Sequence, residues 1–189
     1  MEPVVSRLQH HQRPYMDVDS NLDDNRTLLV LFDSILTIIG EVHEKMKTDR
    51  EKKINEYIQC DPFAKKLGAK VEIMKQGQSR VTLTITDDMV NFHGHTHGGV
   101  IFSLGDIAFA AASNSYGQTS VALNVGINFL KATKPGDRLV AEAVEQSNSG
   151  PIGVYDITIK DDRTGEIVAK SQDMVYRKKE WFVPNEVGS

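Results

Sequence analysis

Cysteine is nearly missing from these 189 residues: Cys60 stands alone. A single thiol excludes a disulfide framework and any zinc site built on paired cysteines. An excess of one charge is missing too. Twenty-two Lys and Arg face twenty-six Asp and Glu, leaving a net charge of −4 and a pI near 5.9. That balance offers no bulk attraction to nucleic acid or to an anionic membrane. Apolar runs such as Leu28–Phe32 fall far short of the ~20 residues that span a bilayer. The first twenty residues also lack the basic, apolar and small-residue order of a secretion signal. The expectation is a protein of the reducing cytoplasm, without a nucleic-acid partner or a membrane span. A composition of 40% apolar and 25% charged residues fits a soluble chain with room for one domain and an appendage.

What is present divides by period. Residues 1–24 are polar, with Pro3, Pro14 and the acidic run DVDSNLDD, and read as a flexible arm. From about Asn25, apolar residues recur every three or four positions (Leu28, Leu31, Phe32, Ile35, Ile38, Ile39, Val42, Met46), which predicts a helix. Asp24 or Asn25 would cap its start. A second helical stretch, REKKINEYIQ, is expected to stop by Asp61-Pro62. Residues 1–50 carry six basic and nine acidic side chains, so the extension holds most of the net charge. It is expected to pack on its own domain or on an oligomer mate, with a lid or partner helix as the functional alternative.

From about Ala69 the period becomes two. Val71, Ile73, Val81, Leu83 and Ile85 alternate around the turn QGQS, predicting a strand pair. An apolar helical segment follows from His97 to Tyr116. Four more alternating runs come after Gly117: TSVALNVGINFL, RLVAEAVEQS, GVYDITIK and EIVAKSQDMVYR. They are separated by KPGD, NSGP and DDRTGE, all turn chemistry, and followed by the charged tail KKEWFVPNEVGS. The order predicts an α+β fold, an antiparallel sheet with one helix along its concave face. A helix apolar on nearly every side needs cover beyond that sheet. A two-fold mate is the simplest source, so a homodimer or larger assembly is expected.

The chemistry gathers in NFHGHTHGGVIFSLGD, Asn91 to Asp106. His93, His95 and His97 alternate and would share a face on an extended strand, as a His-ligated metal hydrolase would require. Gly94, Gly98 and Gly99 argue against a regular strand there, and the loop alternative has His93 and His95 bonding backbone or water. A second reading starts from Gly98 and Gly99 at a helix start, where backbone N–H groups lack partners and meet the positive end of the helix dipole. Without side chains, such positions admit a carbonyl oxygen closely, an oxyanion arrangement for acyl transfer; tight helix packing is the competing reason for two glycines. Asp106 is costly in an apolar helix unless paired or used. It lies eight residues past Gly98, about 12 Å along a helix, so it cannot reach a carbonyl held at its own helix tip. Two antiparallel helices across a dimer axis would bring each Asp106 to the other chain's Gly98.

The run Asn91–Gly117, with INFLKATKPGDRLVAEA and GVYDITI, resembles the hotdog-fold acyl-CoA thioesterases, in particular the phenylacetate-degradation branch. The resemblance covers about residues 53–178 and implies three parts: an extension over 1–52, a hotdog domain over 53–178 and a tail over 179–189. It implies that Asp106 acts as nucleophile or base, that the Gly98 N–H polarises the carbonyl, that Asn91 places the attacking or leaving group, and that His97 shapes the loop. It further implies sites shared between subunits, and dimers that join into tetramers. Where some relatives carry a hydroxyl residue on the strand after the helix, this chain has Ala122, with Ser120 two residues earlier. The expected reaction is hydrolysis of an acyl-CoA thioester with no metal and no cofactor beyond the CoA of the substrate. Gly99 would help bind that substrate, and Lys131, Lys134 and Arg138 around KPGD would meet its phosphates. A non-catalytic acyl-CoA-binding module is the rival from another class. Aryl and fatty acyl groups both remain open.

Overall fold

The computed structural model describes residues 24–184, with side chains from Leu29 onward. The arm expected over the first two dozen residues thus falls outside the described residues, Asp24 excepted, as does the tail after Pro184. Two compact units divide after Glu44. What is described of the first is helix alone, and its apolar side chains from Leu29 to Val42 are exposed. The two helical stretches expected from the pattern are one helix, α1 (Asp24–Ile58). Lys47, Thr48 and Asp49 between them include neither glycine nor proline, so nothing breaks the hydrogen-bond ladder.

In the second unit, α1 ends against the sheet domain, with Ile54 buried. A short helix, α2 (Pro62–Leu67), follows, which the sequence pattern does not announce. The Asp61 carboxylate accepts from the Phe63 and Ala64 N–H groups at 2.8 and 3.1 Å, and Pro62 fills the first helical position. The Asp61-Pro62 step is both the expected stop and a start signal.

Six strands follow as expected: β1 (Lys70–Lys75), β2 (Gln78–Thr84), β3 (Gln118–Phe129), β4 (Arg138–Ser149), β5 (Ile152–Asp161) and β6 (Ile167–Trp181). They form one sheet in the order β1-β2-β4-β5-β6-β3, every pair antiparallel. β6 runs on to Trp181, so Lys178–Trp181 is strand where the sequence reading has charged tail. The helix α3 (Gly98–Asn114) joins β2 to β3, and β3 sits at the far edge of the sheet. Inward side chains of the strands bury against it: Val81, Leu83, Ala141, Ala143, Tyr155, Ile157, Ile159, Ala169 and Val175. The strict alternation along β5 fixes its register, since a slip of one residue would turn Tyr155, Ile157 and Ile159 outward. Among the described residues no helix is long and apolar enough to cross a membrane.

Buried polar bonds hold α3 at a fixed angle. Ser79 donates to the Ala108 carbonyl at 2.6 Å, and Ser115 Oγ accepts from the Gly77 N–H at 2.7 Å. Gly105 lies where the helix crosses β5; a Cβ there would stand 3.2 Å from Ile159 Cδ1. Just beyond α3, Gly117 adopts φ 78°, and a Cβ would strike Arg50 Nη2 at 2.8 Å. That closeness lets Arg50 donate to the Tyr116 carbonyl at 2.5 Å and to the Pro184 carbonyl at 3.0 Å, tying the end of α3 to the last described residues. Tyr57 on α1 stacks on Phe182, ring centroids 4.5 Å apart.

Candidate active site

The Asn91–His97 loop is held by its own side chains. Asn91 Oδ1 accepts from the N–H groups of His93 and His95 at 2.9 and 3.3 Å. The loop is also stitched to the β3–β4 connection, where Thr133 Oγ1 donates to Thr96 Oγ1 at 2.7 Å with both side chains buried. This bond sets the KPGD turn beside the start of α3. His97 caps that start, its Nδ1 accepting from the Gly99 N–H at 2.9 Å. A Cβ on Gly99 would press on His97 Nδ1 at 3.0 Å, whereas one on Gly98 would make only ordinary contact with Phe129. Gly98 has no positive φ either. Neither backbone conformation nor space within the chain demands glycine there, and among the described residues its N–H has no acceptor. An unshielded N–H at a helix tip remains as its property.

One stripe of α3 is open rather than buried. Gly99, Phe102 and Ala110 are exposed along it, and Asp106 stands half-buried in their line. Burial pushes the Asp106 carboxyl above the usual carboxylate range, and the nearby Asp61 carboxylate pushes it further the same way. A chamber of about 480 Å³ opens beside it, walled by Tyr57, Val71, Phe182, Ile107, Ala110 and Ala111, with Asp61 on its lining. Asp106 is not part of that lining, but Ala110, one turn beyond it on the same face, and its neighbour Ile107 both are.

His93, His95 and His97 are all exposed. No three His, Cys, Asp or Glu side chains among the described residues converge as a metal site requires. This geometry weighs against the reading that alternates the three imidazoles along one strand face.

Residues 93–168 match the thioesterase superfamily. Acyl-coenzyme A thioesterase PaaI of Escherichia coli is 44% identical over 99 residues, which cover 52% of this chain and 71% of PaaI. The chain belongs to the thioesterase superfamily. The solved structure of E. coli PaaI, from the phenylacetic acid degradation operon, superposes with a TM-score of 0.67 at 35% identity. That match covers 70% of this chain and 96% of PaaI. A Streptococcus mutans protein solved bound to acetyl CoA superposes with a TM-score of 0.55 at 29% identity, over 58% of this chain and 88% of its own. The fold is the hotdog fold, and the chain is a thioester hydrolase of the PaaI-like branch.

In this thioesterase two of the three cations expected near the site already have partners. Lys131 pairs with Glu166, and Arg138 Nε lies 3.1 Å from Asp162 Oδ2. Lys134 forms no ion pair among the described residues. Ser120 is committed elsewhere, donating to the Ser113 carbonyl at 3.1 Å, and Ala122 is exposed on β3.

Sequence reasoning missed four residues around the candidate site. Asp61 reads locally as a helix signal only. Tyr57 and Phe182 meet through the fold, and nothing in their spacing shows it. Asp173 on β6 is buried; Ser171 Oγ and the Gly126 N–H donate to its carboxylate. Burial raises its pKa, those two donors oppose the rise, and the Asp106 charge adds to it. Its signal was available: Asp173 falls on the inward phase of β6 with Ala169, Ser171 and Val175.

Proposed function

We propose that this thioesterase hydrolyses acyl-CoA thioesters to the free acid and CoA, without a metal, at sites built from two subunits. The observation that carries the reading is the place of Asp106. It lies on the open stripe of α3, one turn before Ala110 on the chamber's wall, about 12 Å along the helix from the Gly98 N–H. One chain holds the two halves too far apart, and a second chain supplies the missing half. β3 offers the means of pairing. It is an edge strand with Leu123 and Phe129 more than half exposed, and among the described residues no strand pairs with its outer side. Two β3 strands joined antiparallel about a two-fold axis lay the two α3 helices side by side in opposite directions. Two such dimers then pair as a tetramer.

In that arrangement the thioester oxygen meets the Gly98 N–H, where the helix dipole stabilises the developing negative charge. The partner subunit's Asp106 acts on the carbonyl carbon. Direct attack expels CoA as its thiolate and leaves a mixed anhydride that water opens. Base catalysis instead has the carboxylate take a proton from the attacking water, and the departing thiolate receives it. His97 fixes the helix tip. Asn91 keeps its carbonyl oxygen in the loop and offers its amide nitrogen to the water or the leaving group. Gly99 leaves room for the substrate, and Lys134, with Lys131 and Arg138 beside their carboxylates, places positive charge toward the CoA phosphates. The acetyl CoA held by the S. mutans relative supports this substrate class.

The deciding experiment is CoA release, followed with a thiol reagent over an acyl-CoA panel. Turnover unaffected by a chelator is the expected result. Saturable binding with no CoA release would instead make the chain a binding module, and activity lost on metal removal would restore the histidine reading.

Two further outcomes are expected. Asp61→Asn keeps a good helix cap but removes a negative charge facing Asp106, which lets that carboxyl ionise more easily. The acid limb of kcat/KM against pH moves to lower pH; a limb that stays in place would mean that Asp106 does not set it. Phe182→Ala widens the chamber and leaves Tyr57 unstacked. The ratio of kcat/KM between long and short acyl chains is expected to shift by about tenfold toward the long. An unchanged ratio would take the chamber out of the acyl path.

A further inference from the structure

The N-terminal half of α1 carries an apolar surface that the shared fold does not explain. Leu29, Val30, Leu31, Phe32, Ile35, Leu36, Ile38, Ile39 and Val42 are each more than half exposed. E. coli PaaI is matched over 96% of its length yet accounts for only 70% of this chain, so a substantial part of the chain has no counterpart there. We infer that this helix is an assembly element that joins copies of the chain by packing against the same helix of other copies in a bundle of more than two.

The area comes first. Those side chains expose on the order of 800 Å², above the ~300–600 Å² of the largest apolar patch on a typical monomer and close to one partner's share of a standard interface. The pattern comes second. Leu31, Ile35, Ile38 and Val42 follow the four-three-four spacing of a coiled-coil seam, with β-branched residues at both seam positions in its middle, which favours three or four strands over two. Phe32 and Ile39 flank one side of that seam, and Leu29 and Leu36 lie beyond them. At 100° per residue the apolar arc covers about 180°, wider than the roughly 100° stripe that a single neighbour covers. A helix with that arc packs against two neighbours at once.

Charge decides against a lipid surface. The opposite arc holds Asp33, Glu41 and Glu44, and no Lys or Arg occurs from Thr27 to Glu44. A helix lying on an anionic membrane carries basic residues there. In a bundle of identical helices the acidic arcs face outward into water. The hydroxyls of Ser34, beside the seam, and Thr37, on the polar arc, need no outside partner: Ser34 Oγ donates to the Val30 carbonyl at 2.8 Å and Thr37 Oγ1 to the Asp33 carbonyl at 2.9 Å.

The test uses the full chain and has two arms. With Cys60 replaced by serine, single cysteines at Leu31→Cys, Ile35→Cys and Ile38→Cys are expected to join chains by disulfides under mild oxidation. Thr37→Cys, on the polar arc, is expected not to. In the chain with its native cysteine, Ile35→Glu/Ile38→Glu is expected to lower the mass read by light scattering by half or more, with CoA release from acyl-CoA retained. Cross-linking equal at Thr37 and at the seam positions, or absent from both, overturns the inference. So does a mass that the glutamate pair leaves unchanged. Sedimentation of the wild-type chain with phosphatidylcholine vesicles, lost in the glutamate variant, would assign the face to lipid instead.

Discussion

Asp106→Asn is expected to lower kcat on acyl-CoA by about 10²-fold or more while the chain stays folded, the loss typical of a catalytic base or nucleophile. Asparagine keeps the shape and removes only the charge. The raised pKa of Asp106 adds a second expectation, of opposite sign to the usual mutational cost. A carboxyl whose folded pKa lies above its unfolded one favours the fold most below the unfolded pKa, and that contribution is lost as pH rises through the folded pKa. At neutral pH the ionised group therefore works against the fold. The neutral asparagine is expected to leave the denaturation midpoint unchanged or higher at pH 7, and to gain nothing at pH 3. Falling activity with stability held or raised marks a group kept for chemistry. A rate near that of the wild type across the panel would remove Asp106 from the reaction, and a lowered midpoint at pH 7 would make it a structural carboxylate.

The largest stability loss is expected elsewhere. At the end of the sheet away from the Asn91–His97 loop, Arg177 Nη2 lies 2.5 Å from Glu145 Oε1, and both side chains are largely buried. The Tyr155 hydroxyl donates to the same oxygen at 2.7 Å, and Tyr116, two residues past α3, donates to Glu145 Oε2 at 2.5 Å. Arg177 Nη1 reaches the carbonyls of Ile152 and Gly150 at 3.1 and 3.4 Å. Arg177→Met strands the Glu145 carboxylate and is expected to cost about 3–5 kcal/mol, read as a lower denaturant midpoint at unchanged slope. Removing both charges in Glu145→Leu/Arg177→Met leaves no stranded ion and is expected to recover much of that loss. A double variant as unstable as the sum of its two single variants would mean that the pair is not coupled. Tyr116 shares the network, so its failure would also loosen the end of the helix that carries Asp106.

The sheet was legible because its central strands bury one face, which writes period two into the chain, most plainly along β2. β5 alternates without a break, and the turns between strands carry their own residue chemistry. α3 was legible from its uniform apolarity, although that same uniformity hid the open line through Phe102, Asp106 and Ala110. Helix boundaries near residue 50 were not readable. Lys47–Arg50 is polar all round, and a solvated stretch of helix looks like a linker when no apolar stripe marks it. α2 spans six residues, too few turns for a period to show. Gly98 and Asp106, the pair proposed for the site, were singled out by spacing and the reach of a helix. Tyr57 meeting Phe182, and Asp61 facing Asp106, depend on how distant segments close on one another, and local sequence does not encode that.

The open margin of β3 has a consequence for handling the protein. A strand with unpaired backbone and bare leucine and phenylalanine is a template for any extended chain that drifts against it. Dilution should therefore leave this protein more prone to cloud and precipitate on warming. Under the β3 pairing proposed above, concentrated samples should melt later.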